Sequence, residues 1–181
     1  MSTGSVDFDD AVFGEGLPGT AARCIAEAGL FRSADPERAL ELLRYAQALA
    51  PEHPATLIAL YRFYFYGHRL EQARAVALEA IALGAQALDL PARWQDVPAL
   101  ELTGPREDPR TRFYLFSLKG YAYLSLRLGD IAEGDRALAL LRQLDPHDRV
   151  GAALLVAVSA RGGRDEDDEA DVPAAVNEGV L

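Results

Sequence analysis

The stretch LKGYAYLSLRLGDIAEGDRALALLRQLDP, residues 118–146, reads as two amphipathic helices separated by a Leu-Gly-Asp turn. Leu118, Tyr121 and Ala122 share one face of the first, and Gly134, Leu138, Leu141 and Leu144 share one face of the second. Helices joined by so short a turn must lie side by side, and a small residue such as Gly134 lets them approach closely. Pro146 then stops the second helix, twelve positions after Gly134. Working outward, the same punctuation recurs upstream. Ala39 stands twelve positions before Pro51, and Ala73 stands 34 positions after Ala39, a period at which helix–turn–helix units repeat.

The first unit pairs a helix over 19–32 with one over 36–49. Asp35-Pro36 supplies an N-cap and first-turn proline, and Ala39, Leu42, Leu43, Ala46 and Leu49 keep helical spacing. The second unit starts after Pro54, with Leu57, Leu60, Tyr61 and Tyr64 on one face; Gly67 ends that helix before Leu70, Ala73, Ala77, Ala80 and Ile81 build the next. Ala73 to Gly134 is 61 residues, one period plus a 27-residue interruption. That insertion, 84–110, carries Pro91, Pro98, Pro105, Pro109 and the single tryptophan, Trp94, and is expected to be an ordered flap. After Pro146, Asp148 caps a further helix through Leu154, Leu155 and Val158 to Gly162-Gly163, which covers the last exposed face.

In their large and small places these units resemble tetratricopeptide repeats. Leu57, Leu60, Tyr64, Leu70, Ala73, Ala77 and Ala80 fill the signature in the second unit, although its glycine falls one residue early. Leu118, Tyr121, Ala122, Gly129, Ile131, Gly134, Leu138, Leu141, Leu144, Asp145 and Pro146 fill it in the third. The first unit departs most, with Arg23 where a bulky apolar residue is usual. The expectation is an all-α chain: three tetratricopeptide-like helical hairpins in a short solenoid with a C-terminal capping helix. The helical-repeat domain spans 18–160, between a disordered N-terminal segment, 1–17, and an acidic disordered tail, 161–181.

Charge divides the same way. Residues 1–17 hold four acids and no base, residues 161–181 seven acids and two bases, and the middle 17 acids against 16 bases. Nine of the ten net negative charges therefore belong to the ends, and the domain itself lacks the basic surface that nucleic acid requires. One cysteine, Cys24, permits no internal disulfide. The start MSTGSVDFDDAVF lacks a cationic run and an apolar core of the secretory type, and the apolar stretch within 150–160 is too short to span a bilayer. A cytoplasmic protein with no membrane contact is expected.

No catalytic constellation emerges, so the chain is read as non-enzymatic. Gly14-Glu-Gly16-Leu-Pro-Gly19 matches a dinucleotide fingerprint but has no strand before it to aim the backbone amides at a pyrophosphate. His53, His68 and His147 fall in separate turns, and one cysteine makes no thiolate cluster, so no metal and no cofactor is expected. Cys24 reads as a small buried apolar residue.

Aromatics are the stronger signal. Tyr61-Arg62-Phe63-Tyr64-Phe65-Tyr66 puts aromatic rings on every face of one helix, and Phe113, Tyr114, Phe116, Tyr121 and Tyr123 nearly do so on another. Core packing absorbs about half of them. In the repeat geometry the leading helices line a concave face, presenting Phe31, Arg32, Arg62, Phe65, Tyr66, Lys119, Tyr123 and Arg127, an arginine–tyrosine composition typical of protein-binding hot spots. Lys119 is the single lysine beside 17 arginines. Tyr123 replaces the asparagine that would pair with Lys119 in a tetratricopeptide carboxylate clamp, which disfavours chaperone tails. Trp94 has two readings, a pin holding the flap to the domain edge or an exposed anchor for a partner. The acidic tail is read as a solubility device, or as a segment that folds over Arg32, Arg62 and Arg127 and competes with an acidic partner.

The segments LYRFYFYGHRLEQA, 60–73, and RFYLFSLKGYAYLSLRLGD, 112–130, also resemble small tetratricopeptide-type proteins encoded among bacterial nitrogen-fixation genes, of the nitrogenase-associated factor T type. That resemblance covers about 60–150 and carries over no cofactor residue. It implies an accessory factor that docks on a nitrogenase component during maturation, protection or repair. Without it, the residues alone describe a generic peptide-binding or complex-assembly adaptor with an unrelated client.

Overall fold

Three helices begin on one device, a proline in the first turn preceded by a side chain that accepts a backbone N–H. Asp35 accepts from Arg38 N at 3.1 Å, His53 Nδ1 from Ala55 N at 3.2 Å and Asp108 from Arg110 N at 2.9 Å. The computed structural model describes residues 12–102, 104 and 107–164. Among them lie seven α-helices and no strand: α1 Gly19–Phe31, α2 Pro36–Leu49, α3 Pro54–Tyr66, α4 Leu70–Ala87, α5 Pro109–Arg127, α6 Ile131–Leu144 and α7 Ala153–Ala160, with one 3-10 turn, Trp94–Asp96.

Each of α1 to α6 packs on the next along the chain, and α1 also touches α3. Ala39, Ala73 and Gly134 occupy equivalent places four residues into α2, α4 and α6. Their amides donate to Asp35 O, Arg69 O and Asp130 O, and all three are buried. At Gly134 the approach is too close for a side chain, because a Cβ there would stand 2.6 Å from both Cγ and Cδ2 of Leu126.

The early glycine of the second unit has a backbone explanation. The turns after α3 and α5 share one hydrogen-bond pattern, with Arg69 N donating to Tyr64 O and Asp130 N donating to Ser125 O, both at 2.9 Å. The left-handed position in that pattern is Gly129 in the second case, at φ 83°, and His68 in the first, at φ 56°. Gly67 sits one residue before it in ordinary right-handed space, at φ −85°.

Two expectations about irregular chain are corrected. The insertion is shorter than 84–110, because α4 has no stop proline at the repeat position and runs on to Ala87, while Pro109 already opens α5. Residues 12–17 are held to the domain rather than loose. The Phe13 ring meets Phe113 edge-on at 5.5 Å, and Glu15 O accepts from His53 Nε2 at 2.9 Å, the nitrogen that carries the hydrogen once Nδ1 accepts. The rest of the N-terminal segment expected to be disordered, 1–11, and tail residues 165–181 lie outside the described residues.

Two apolar clusters fill the interior. One joins α1–α4 and takes Phe113 and Leu124 from α5. The other joins α4–α7 and the insertion around Tyr114, Leu118, Leu126 and Leu141. Helix α5 serves both, which is why aromatics surround it: its rings fill the cores on opposite sides. Asp148, at φ 51°, turns the chain after α6 and accepts from the amides of Ala152 and Ala153, so it anchors the start of α7 from outside the helix, whose N-cap is Ala152 rather than Asp148.

Candidate functional site

Gly120, in the middle of α5, opens the floor of a groove. A Cβ at that position would stand 2.7 Å from the Tyr61 hydroxyl oxygen, so an added side chain would have to push that ring aside. Phe116 and Tyr123 flank Gly120 on the same face of α5; Tyr61 and Phe65 of α3 form one wall, and Leu154, Leu155 and Val158 of α7 the other. The volume is about 380 Å³. Its aromatic side is interlocked: Tyr61 and Phe65 stack at 5.8 Å, and Phe65 meets Tyr123 at 5.9 Å. Burial, reinforced by the neighbouring Tyr123 and Tyr66 hydroxyls, pushes the Tyr61 phenol far above its ordinary value and keeps it neutral. Leu154 is 75% exposed at the rim, so apolar surface continues out of the groove.

A second depression, about 760 Å³, lies where α1 and α3 end and is lined by Arg32, Ser33, Pro36, Arg62, Phe63, Tyr66, Gly67 and Arg69. Aromatic faces hold two of the guanidiniums. Arg32 lies 5.5 Å from the Tyr66 ring centre and Arg69 lies 5.8 Å from that of Phe63. Tyr66 is 59% exposed, and its ring meets Phe65 edge-on at 5.4 Å. The two depressions therefore share an aromatic border.

The residues predicted from sequence divide between these places. Phe65, Lys119 and Tyr123 line the groove; Arg32, Arg62 and Tyr66 line the arginine-rich depression. Arg127 sits beside the groove, donating to the Tyr123 hydroxyl at 3.1 Å. Phe31 belongs to neither, because its ring faces α2 under the Arg38 guanidinium, 4.9 Å away. Lys119 is turned from its expected role. Its Nζ donates to Val150 O at 2.7 Å, tying α5 to the segment before α7, and burial lowers its pKa against the opposing pull of Asp148. Sequence reading missed Tyr61, Phe116, Gly120, Arg69 and the α7 wall. The helical spacing of Phe116, Gly120 and Tyr123 was the available signal for the floor.

Trp94 is corrected as a partner anchor. It is only 4% exposed and packs against Tyr121 at 5.8 Å, so the indole pins the insertion to the domain. Val97 and Leu102 bury alongside it, and Leu102 N donates to Leu144 O at 3.0 Å. Tyr121 in turn donates to Glu133 at 2.7 Å, and burial together with that carboxylate raises its phenol to about 12. These interactions fix the insertion to the domain.

The histidines stand apart at the α3 N-cap, the α3–α4 turn and the α6–α7 connection, and among the described residues no three His, Cys, Asp or Glu side chains gather as metal ligands. Cys24 is 8% exposed between Ala21 and Ala46, a small apolar filler. Among the described residues no helix is long and apolar enough to cross a membrane.

Comparison with known proteins finds similarity to the "uncharacterized 19.8 kDa protein in nifW 5'region" of Azotobacter chroococcum mcd 1, 43% identical over 117 residues. The match spans 64% of this chain and 66% of the relative, just under two thirds of that protein's length. No family model matches the chain, and no solved structure matches it.

Proposed function

We propose that the chain is a non-catalytic adaptor or accessory factor of nitrogen fixation that holds a partner protein, its three helical hairpins forming a short tetratricopeptide-like solenoid with α7 as the cap. A nitrogenase component, engaged during maturation, protection or repair, is the client that suits this reading. The observation that carries the binding role is the aromatic groove over Gly120. It is open, apolar and continuous with exposed Leu154 and Tyr66, the pattern of an interaction surface. The nitrogen-fixation setting rests on the nifW-region relative and on the aromatic stretches 60–73 and 112–130.

Affinity purification from cells grown with and without fixed nitrogen tests the client. Recovery of nitrogenase subunits under fixation alone supports the reading; a client recovered equally in both states leaves a general adaptor and removes the nitrogenase role. Replacing Arg62, Tyr66 and Tyr123 together by Ala should abolish capture while helical circular dichroism stays unchanged. Capture that survives this triple change would place the client elsewhere on the surface.

A further inference from the structure

Several arginines among the described residues are neutralised by carboxylates. Arg38 pairs with Glu27, Arg74 with Asp130, Arg110 with Asp108, Arg136 with Glu133 and Arg149 with Glu101. At the depression where α1 and α3 end, Arg32 and Arg69 rest against aromatic rings instead. Arg32, Arg62 and Arg69 converge there, and no described residue lining it is an acid. In a chain with 28 acids against 18 bases, carboxylates are abundant, yet Arg32 and Arg69 are held by ring faces and have no ion pair among the described residues. A contact with a ring face uses no N–H donor of the guanidinium, whose fork matches a carboxylate.

We infer that this depression receives the carboxylates of an acidic peptide segment from a partner protein. The inference rests on the partner-binding reading above for its occupant. Three observations favour a peptide over a phosphate polymer. The lining mixes arginines with Phe63, Tyr66 and Pro36, so apolar side chains have somewhere to pack between the charges. Tyr66 contacts Phe65 of the aromatic groove, so one extended segment can place apolar residues over Gly120 and acidic residues against the arginines. The chain's net charge of −10 repels a polyanion at long range, whereas a short segment presenting a few carboxylates to a local basic pocket meets less of that field.

The test uses the purified full chain and fluorescein-labelled hexaglutamate, with hexaglutamine as the uncharged control, read by fluorescence anisotropy. Hexaglutamate should bind saturably at about 20 mM salt and weaken about tenfold at about 300 mM, while hexaglutamine stays unbound. The double variant Arg32→Gln/Arg69→Gln should lose about tenfold in affinity, and Arg142→Gln, on the exposed side of α6, should lose none. Unchanged hexaglutamate affinity in the double variant overturns the inference, as does absence of saturable binding by the unmodified chain. An oligouridylate that displaces hexaglutamate at a lower concentration reassigns the pocket to phosphate and also overturns it. Should the double variant unfold, the salt titration and the hexaglutamine control on the unmodified chain decide the matter. No client is present in this assay, so failure to capture nitrogenase from cells leaves its result standing. Conversely, client capture that persists in the double variant sinks the arginine pocket and spares the adaptor.

Discussion

The first and third hairpins follow one plan with opposite fillings. Between α1 and α2 the buried side chains are Ala21, Cys24, Ala28, Ala39, Leu43 and Ala46. Between α5 and α6, and on the faces those helices turn to α4, the insertion and α7, they include Tyr114, Leu118, Tyr121, Leu126, Leu138, Leu141 and Leu144. An alanine seam draws two helices close but removes little apolar surface from water, since hydrophobic stabilisation scales with the area buried. The third hairpin is therefore the rigid platform, and it carries the groove floor. The first is the lightly held end, and it carries Arg32. A surface that spans both hairpins has one firmly packed half and one more lightly packed half.

The largest expected effect compares leucines across the two hairpins. Leu141→Ala, at a fully buried position in the cluster that also holds Trp94 and Tyr121, should cost about 4 kcal/mol, and Leu43→Ala about 2 kcal/mol, because small neighbours collapse more easily around the lost atoms. Urea unfolding measures both, and equal losses would break the contrast. Gly134→Ala comes next. The added Cβ must displace the buried Leu126 side chain, at a cost of about 1–3 kcal/mol, although the equivalent Ala39 and Ala73 already carry that atom without strain. A neutral Gly134→Ala would mean the α5–α6 contact yields as readily as the α1–α2 contact.

Caps give a smaller, pH-dependent test. The Arg110 hydrogen bond holds the Asp108 carboxyl below its ordinary 3.8, outweighing the opposing effect of partial burial. A depressed folded value means the contribution is present above the unfolded pKa and fades as pH falls through the folded one. Asp108→Ala should accordingly lose about 1 kcal/mol near neutral pH, and its deficit against the unmodified chain should shrink below about pH 3.8. A deficit independent of pH would show that the carboxylate charge plays no part. His68→Gly should stabilise the α3–α4 turn by about 1 kcal/mol, by removing a side chain from the left-handed position that Gly129 occupies in the third hairpin. An unaltered midpoint in thermal unfolding would show that the two turns are not equivalent in energy.

Local chemistry made the helices legible. The Asp35-Pro36 and Pro54 starts, the α2 boundaries at 36 and 49 and the α6 stop before Pro146 follow from caps and prolines that act within one turn of the backbone. The missed end of α4 has a different cause. Gly84 reads as a stop, but it is buried inside α4 where the helix passes Tyr114, and with no proline before Ala87 the helix runs on. The candidate site was legible only in part. Arg32, Arg62, Phe65, Tyr66 and Tyr123 lie where a shared face predicted surface, while Phe31 rolled toward α2 and Lys119 was taken by the Val150 carbonyl. A helix with rings all round carries no moment that says which ring faces out, so its neighbours decide.

By itself, the sequence determined an all-helical chain, where its turns fall and the need for small residues at Ala39, Ala73 and Gly134, because helix propensity, capping and close approach are written in residues a few positions apart. Tertiary structure decided what faces solvent. The insertion folds back so that Trp94 fills the space over Tyr121, and α7 returns along α5 to wall the groove above Gly120. Those outcomes depend on which distant surfaces remain uncovered once the hairpins have packed, and burial of apolar area, which is non-directional, selects them only in the assembled molecule.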